Sequence, residues 1–263
     1  MSERFSSNTP EEIASKIDET AYERVKSFHD KIKDYSLVIT GTVGSGKSTI
    51  CESLSYLFST VGIETNNFPE FLFVNDDVSG LLLTKKINGQ ISNVTFQNFV
   101  LDNWECILRR KNTKGKFNIF ERCVDDSVMC FCNIANANLE IKDIEFYSMY
   151  QRLLKINETY DTPTYFDKNV HFTKIMSGNL SFNLCQILDI IESDLKKGIN
   201  KRIIGLVVSD FDSKQRIKLR NRSGESSYDD VLIKNYNTHY KELFSMLEQG
   251  GYVKRFLDMG KLL

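Results

Sequence analysis

The sequence contains no paired Cys-x-x-Cys spacing. Its six cysteines stand at 51, 106, 123, 130, 132 and 185, and the one-residue gap of Cys130-Phe131-Cys132 has no second pair. This excludes the common cysteine-based metal sites and dithiol redox motifs, and leaves those two thiols as small core residues. No apolar stretch approaches the roughly 18–20 residues that cross a bilayer, and no apolar signal segment follows Met1. The expectation is a protein away from membranes, with reduced thiols in the cytoplasm. Neither sign of charge is in excess: 34 Lys and Arg face 35 Asp and Glu, a formal net charge of -1. Grip on nucleic acid through bulk electrostatics is therefore not expected, and the partner should be small. No internal repeat or low-complexity linker divides the 263 residues, so a single domain over 1–263 is expected, with a loose polar segment at 1–8.

What is present alternates between two periodicities. Thr9-Pro10-Glu11-Glu12 offers a capping hydroxyl, proline at the first helical position and a glutamate three residues after the cap, which predicts a helix from about Pro10 to Lys33. Tyr35 to Thr40 is a short apolar run ending in glycine, as a buried parallel strand does. Ile50, Leu54, Leu57 and Phe58 make one helix face over Lys47 to Thr60, and Gly62 opens a second extended segment reaching Glu70. Further helices are predicted over Phe96–Leu108, Ser127–Ala137 and Ile144–Ile156. Strands are predicted at Phe117–Phe120, Ile203–Val208 and Tyr252–Leu257. Asn157 to Asn200 fits this alternation poorly, and is expected to be an insertion (157–200) holding one amphipathic helix, Leu184 to Lys197. Strands alternating with helices imply a parallel sheet covered on both faces.

Between the first strand and the helix after it, residues 41–48 read Gly-Thr-Val-Gly-Ser-Gly-Lys-Ser. The pattern G-x-x-x-x-G-K-[ST] uses glycines so that successive N–H groups turn inward, and a helix N-terminus so that orphan donors meet anionic oxygens. Gly41, Gly46, Lys47 and Ser48 fill every fixed position, and Thr42, Val43, Gly44, Ser45 and Thr49 complete the cradle. Lys47 is expected to bridge the β- and γ-phosphates of a nucleotide, and the Ser48 hydroxyl to ligate Mg²⁺. An Asn-Lys-x-Asp guanine reader is absent, which argues against a GTPase switch. The strand at Phe117 ends in Glu121-Arg122 rather than in the aspartate of a motor ATPase. A carboxylate beside a guanidinium at a strand's C-terminal end suits a site where Mg²⁺ and a transferring phosphoryl group lie together.

Taken in order, five motifs resemble the deoxynucleoside kinase family, the group of thymidine, deoxycytidine and deoxyguanosine kinases. They are the loop Gly41–Ser48, the pair Pro69-Glu70, Thr95-Phe96-Gln97, Glu121-Arg122-Cys123, and the arginine-rich run Arg216 to Glu225. The resemblance implies an α/β P-loop kinase fold with a five-stranded parallel sheet flanked by helices and a lid over about 213–227. It implies transfer of the ATP γ-phosphoryl to a 5′-hydroxyl. Glu70 would be the base, Arg122 would hold Glu70 and the 5′-oxygen, and Glu121 would join Ser48 at Mg²⁺. Arg216, Arg220 and Arg222 would neutralise transition-state charge, and Glu225 would reach the sugar 3′-hydroxyl. Gln97, Val100, Trp104 and Ser127 would line the base pocket. Family members are commonly dimers, to which Ile144–Ile156 would contribute an apolar face.

The departures are informative too. Cys123 stands where the family usually has serine. The sugar-contacting tyrosine expected eleven residues before Gln97 is Lys86 here, which leaves sugar discrimination open. An aspartate is missing at Ser127 and an arginine at Trp104, and a bulky indole leaves less room for a purine, so thymidine or a pyrimidine-broad range is expected. Trp104 is equally readable as core. A thymidylate-type monophosphate kinase and an inactive family member acting as a subunit remain the alternatives. The richness in Asn, Ile and Lys hints at an AT-rich, viral source, and so at a host cytoplasm.

Overall fold

The structure, a computed structural model, describes residues 12, 17, 19–70, 76–220 and 230–249. Five parallel strands form the sheet: β1 (Ser36–Gly41), β2 (Thr65–Phe68), β3 (Phe117–Glu121), β4 (His171–Met176) and β5 (Lys201–Val207), in the order β2-β3-β1-β5-β4. The described helices are α1 (Glu19–Lys26), α2 (Lys47–Thr60), α3 (Asp76–Ile87), α4 (Asn93–Arg110), a π-helix (Ser127–Cys132), α5 (Asn133–Ala137), α6 (Asp143–Tyr160), α7 (Leu180–Lys197), α8 (Asp210–Arg220) and α9 (Asp230–Glu248).

Alternation along β1 divides the core in two. Leu37 and Ile39 face a layer built from α1, α2 and α7, through Ile50, Leu54, Phe58, Leu184, Ile187 and Ile191. Val38 faces the opposite layer of α4, the π-helix, α6 and α9, with Phe120, Leu101, Met129, Leu153 and Phe244. Every residue of β1 and β3 is buried, and apolar side chains fill the middle of each strand, Leu37 to Ile39 in β1 and Ile119-Phe120 in β3, with buried polar residues at Ser36, Thr40, Asn118 and Glu121. At the end of β1 a Cβ on Gly41 would lie 2.0 Å from the Leu206 carbonyl oxygen, so only glycine lets the loop leave β1 alongside β5.

Three expectations are corrected. The first helix ends at Lys26, because Ser27 turns its hydroxyl onto the Arg24 carbonyl and a series of tight turns brings Phe28, Ile32 and Tyr35 into the core. The helix expected from Ser127 begins as a π-helix and becomes α only at Asn133. The segment 157–200, expected to hold one amphipathic helix, supplies edge strand β4 to the sheet as well as helix α7 to its cover. The strand expected at 252–257 lies outside the described residues, and β4 completes the five described strands. Helix α6 turns Met149, Tyr150, Leu153 and Ile156 into the protein's own core and leaves Ile144 71% exposed. Among the described residues no helix is long and apolar enough to cross a membrane.

Candidate active site

The phosphate loop lies between β1 and α2, and its backbone follows from its glycines: φ is +72° at Gly44 and +88° at Gly46, the residue that caps α2. Lys47 folds back along the loop, its Nζ 3.2 Å from the Gly41 oxygen and 3.0 Å from that of Thr42. Struts from three other elements hold the outer side. Ser213 Oγ of α8 donates to the Val43 carbonyl at 2.6 Å, and the Val43 N–H donates to Asn237 Oδ1 of α9 at 3.1 Å. Ser177 Oγ, just past β4, donates to the Ser45 carbonyl at 2.8 Å. Arg216 Nη1 donates to both the Gly44 carbonyl (3.3 Å) and Ser177 Oγ (3.0 Å).

Beside the loop, Ser48 Oγ donates to Glu121 Oε1 at 2.6 Å. Glu121 is only 4% exposed, and burial, then the neighbouring Glu70, pushes its carboxyl above the ordinary range against the pull of Ser48, Lys47 and Arg122. A hydroxyl and a buried carboxylate are the hard oxygen donors that Mg²⁺ takes alongside waters and phosphate oxygens, so the residues fit that ion.

Arg122 links this corner to the other half of the site. Its φ is +70°, uncommon for a residue with a side chain, and its N–H is fixed to the Ile39 carbonyl at 2.9 Å. The guanidinium, in a residue 7% exposed, donates from Nε to Glu70 Oε1 at 2.8 Å and from Nη1 to the Gly41 carbonyl at 3.3 Å and to the Tyr240 hydroxyl. It also stands 5.4 Å from the Phe131 ring centre and 5.5 Å from that of Tyr240. Burial opposes the charge, but Glu70, Tyr240 and Asp126 outweigh it and hold the group more basic than usual.

Gln97 is 4% exposed, and its Oε1 has no hydrogen-bond partner among the described residues. An unpaired buried amide oxygen costs about 1–3 kcal/mol, so a donor brought in by a ligand would relieve it. Helical spacing puts Val100 and Trp104 on the same face of α4 as Gln97. Trp104 joins the buried cluster with Phe68 and Phe120 while standing two turns along α4 from Gln97. Ser127 is buried at the start of the π-helix.

The profile of the deoxynucleoside kinase family matches residues 37–170, half of the chain. The chain belongs to the deoxynucleoside kinase family. Among solved structures it is similar to the deoxyadenosine kinase of M. mycoides with bound dATP, at 18% identity over 80% of this chain and 84% of that one, with a TM-score of 0.50. It is similar as well to the same kinase with the products dCMP and dCDP, at 18% identity over 86% and 97% of the two chains, with a TM-score of 0.51. At that identity the likeness concerns the fold. No curated protein sequence matches the chain.

For a deoxynucleoside kinase, an ATP-dependent phosphotransferase, the structure brings together the loop 41–48, Glu70, Glu121, Arg122 and Arg216. Thr49 follows Ser48 in the first turn of α2. Arg220 ends α8, its side chain outside the described residues, as are Arg222 and Glu225 entirely. Cys123 uses its thiol to reach the Pro163 carbonyl at 3.0 Å, so the departure from serine ties down a loop that the chain itself supplies. Lys86 lies in the last turn of α3, where burial draws its ammonium pKa down against the pull of Glu140. Tyr240, Phe131, Ser177 and Asn237 carry no local signal in the sequence, since each is an ordinary residue until the fold brings it to the site.

Proposed function

We propose that the protein transfers the γ-phosphoryl group of ATP to the 5′-hydroxyl of a deoxynucleoside, with thymidine or another pyrimidine preferred. The observation that carries the reading is Arg122, bonded at once to Glu70 and to Gly41 of the phosphate loop, because it couples a base to a donor cradle. Loop amides and Lys47 hold the donor, Ser48 and Glu121 serve Mg²⁺, and Glu70 accepts the proton of the attacking hydroxyl. Mg²⁺, when bound, neutralises charge on the phosphate oxygens. Arg216, Arg220 and Arg222 add cations for the transition state, and Glu225 meets the 3′-hydroxyl. The loose transition state needs positioning more than covalent chemistry, which suits residues this firmly braced.

Gln97 Oε1, without a partner among the described residues, can accept from a base N–H, and the pyrimidine preference is supported by the indole of Trp104 filling space two turns along the same helix. All six thiols are unpaired, in keeping with a reducing cytoplasmic setting.

A Mg²⁺-ATP assay across thymidine, deoxycytidine, deoxyadenosine, deoxyguanosine and dTMP tests the proposal, with thymidine or deoxycytidine expected to turn over fastest. Turnover of a purine nucleoside alone would overturn the base preference. Activity confined to dTMP would replace the reading by a monophosphate kinase, and no activity would replace it by a non-catalytic subunit. In Glu70→Gln, kcat should fall about 100-fold or more while Mg²⁺-ATP binding holds, and an unchanged kcat would remove Glu70 as the base.

A further inference from the structure

Arg122 keeps a left-handed backbone, and such a residue persists only where its surroundings over-determine it. One clamp is the Ile39 carbonyl on its own N–H. The other is Asp126, 1% exposed, whose Oδ2 accepts the next N–H, that of Cys123, at 2.9 Å. The same oxygen accepts the Thr40 hydroxyl at 2.7 Å, and Thr40 is the last residue before Gly41 of the phosphate loop. Oδ1 accepts the Tyr165 hydroxyl at 2.7 Å and lies 3.6 Å from Cys130 Sγ. A single carboxylate oxygen thus holds both the entrance of the donor loop and the peptide leaving the acceptor's arginine.

We propose that Asp126 is a positioning residue that sets the register between the phosphate loop, through Thr40, and the Glu70–Arg122 pair, through Cys123. The proposal rests on the kinase reading for its catalytic consequence. Asp126 touches no reacting atom and acts through Thr40 and Arg122. A misplacement of about 1 Å between reacting groups costs roughly 100-fold in rate, whereas substrate binding depends on contacts that Asp126 does not make.

Asp126→Ala and Asp126→Asn separate this role from mere support of the core. An asparagine keeps one acceptor oxygen for Thr40 and Cys123 and can turn its amide to the Tyr165 hydroxyl, which is able to accept. Expected for Asp126→Ala is a kcat lowered roughly 100-fold with both KM values nearly unchanged, and more ADP formed than nucleoside monophosphate, because water captures phosphoryl groups that the displaced 5′-oxygen misses. Asp126→Asn should restore most of kcat and the one-to-one product ratio. Hydrogen exchange should rise in Asp126→Ala at residues 37–45 and 120–126, and return toward wild type in Asp126→Asn. The proposal is overturned if the two variants behave alike, or if Asp126→Ala retains wild-type kcat and product ratio. Should the wild type phosphorylate no nucleoside, the kinase reading fails, and exchange alone decides the clamp: unchanged exchange at Cys123 in Asp126→Ala sinks it, and raised exchange with asparagine rescue sustains it.

Discussion

Glu52 stands one turn beyond Ser48 on the same side of α2, and its carboxyl is pushed up to about 7, first by burial and then by Glu121. The ordinary value is 4.5, so between those two limits the folded protein keeps a proton that the unfolded chain has released. A raised carboxyl of this kind makes stability fall as pH rises through that window. Without Mg²⁺ or nucleotide, Glu52→Gln should therefore melt above wild type at about pH 8, and the gap should close toward about pH 4. Thermal melts across that range check it, and a gap independent of pH would mean that the charge on Glu52 is not what destabilises. Residues whose chemistry is contiguous were legible in the sequence: the glycines and Lys47 of the loop act through backbone geometry that eight neighbours define, and Glu121-Arg122 ends its own strand. Tyr240 was not, for it meets Arg122 across 118 residues of chain and has no local signature. Asp126 sits beside the motif yet acts on Thr40 from 86 residues away.

Elements were legible where burial is complete. β1, β3 and β5 carry apolar runs because both of their faces are covered, and each lies within a residue or two of its expected place. β4 is an edge strand, mostly exposed or half-buried, and His-Phe-Thr-Lys-Ile-Met carries too little apolar periodicity to announce itself. The π-helix was hidden for another reason, since a wide turn is set by packing between α4, α6 and α9 rather than by residue type. α7, read from its amphipathic pattern, is fastened at the far end of the sheet by Asp194. That fully buried carboxylate accepts from the Tyr35 hydroxyl at 2.6 Å and from Arg202 Nε at 2.8 Å. Removing it strands a largely buried guanidinium and a phenol hydroxyl, so Asp194→Ala should cost about 3 kcal/mol. Urea unfolding should report the loss while kcat stays near wild type, since Asp194 lies beside the first residues of β1 and β5, away from the loop. A large fall in kcat at full folding would mean that the two ends of the sheet are coupled.

On the scale of the whole molecule, the donor site is drawn from β1, α2, β3, the turn after β4, α8 and α9, elements spread from residue 36 to residue 248. A ligand that binds such a site binds only the folded chain, and so stabilises it by mass action. At a hundred times its Kd, Mg²⁺-ATP should add about 2.7 kcal/mol, which for a domain of this size raises Tm by roughly 5–10 °C. With a net charge of only -1, bulk attraction contributes little, and the shift should rest on the loop itself. Lys47→Ala removes the cation whose Nζ lies 3.0 Å from the Thr42 carbonyl inside the cradle, and should abolish most of the rise while leaving the unliganded Tm close to wild type. Chelating Mg²⁺ should reduce it in wild type and change little in the variant. Differential scanning fluorimetry at fixed protein concentration reads all four conditions, and a full ATP-dependent shift in Lys47→Ala would put the nucleotide somewhere other than the loop.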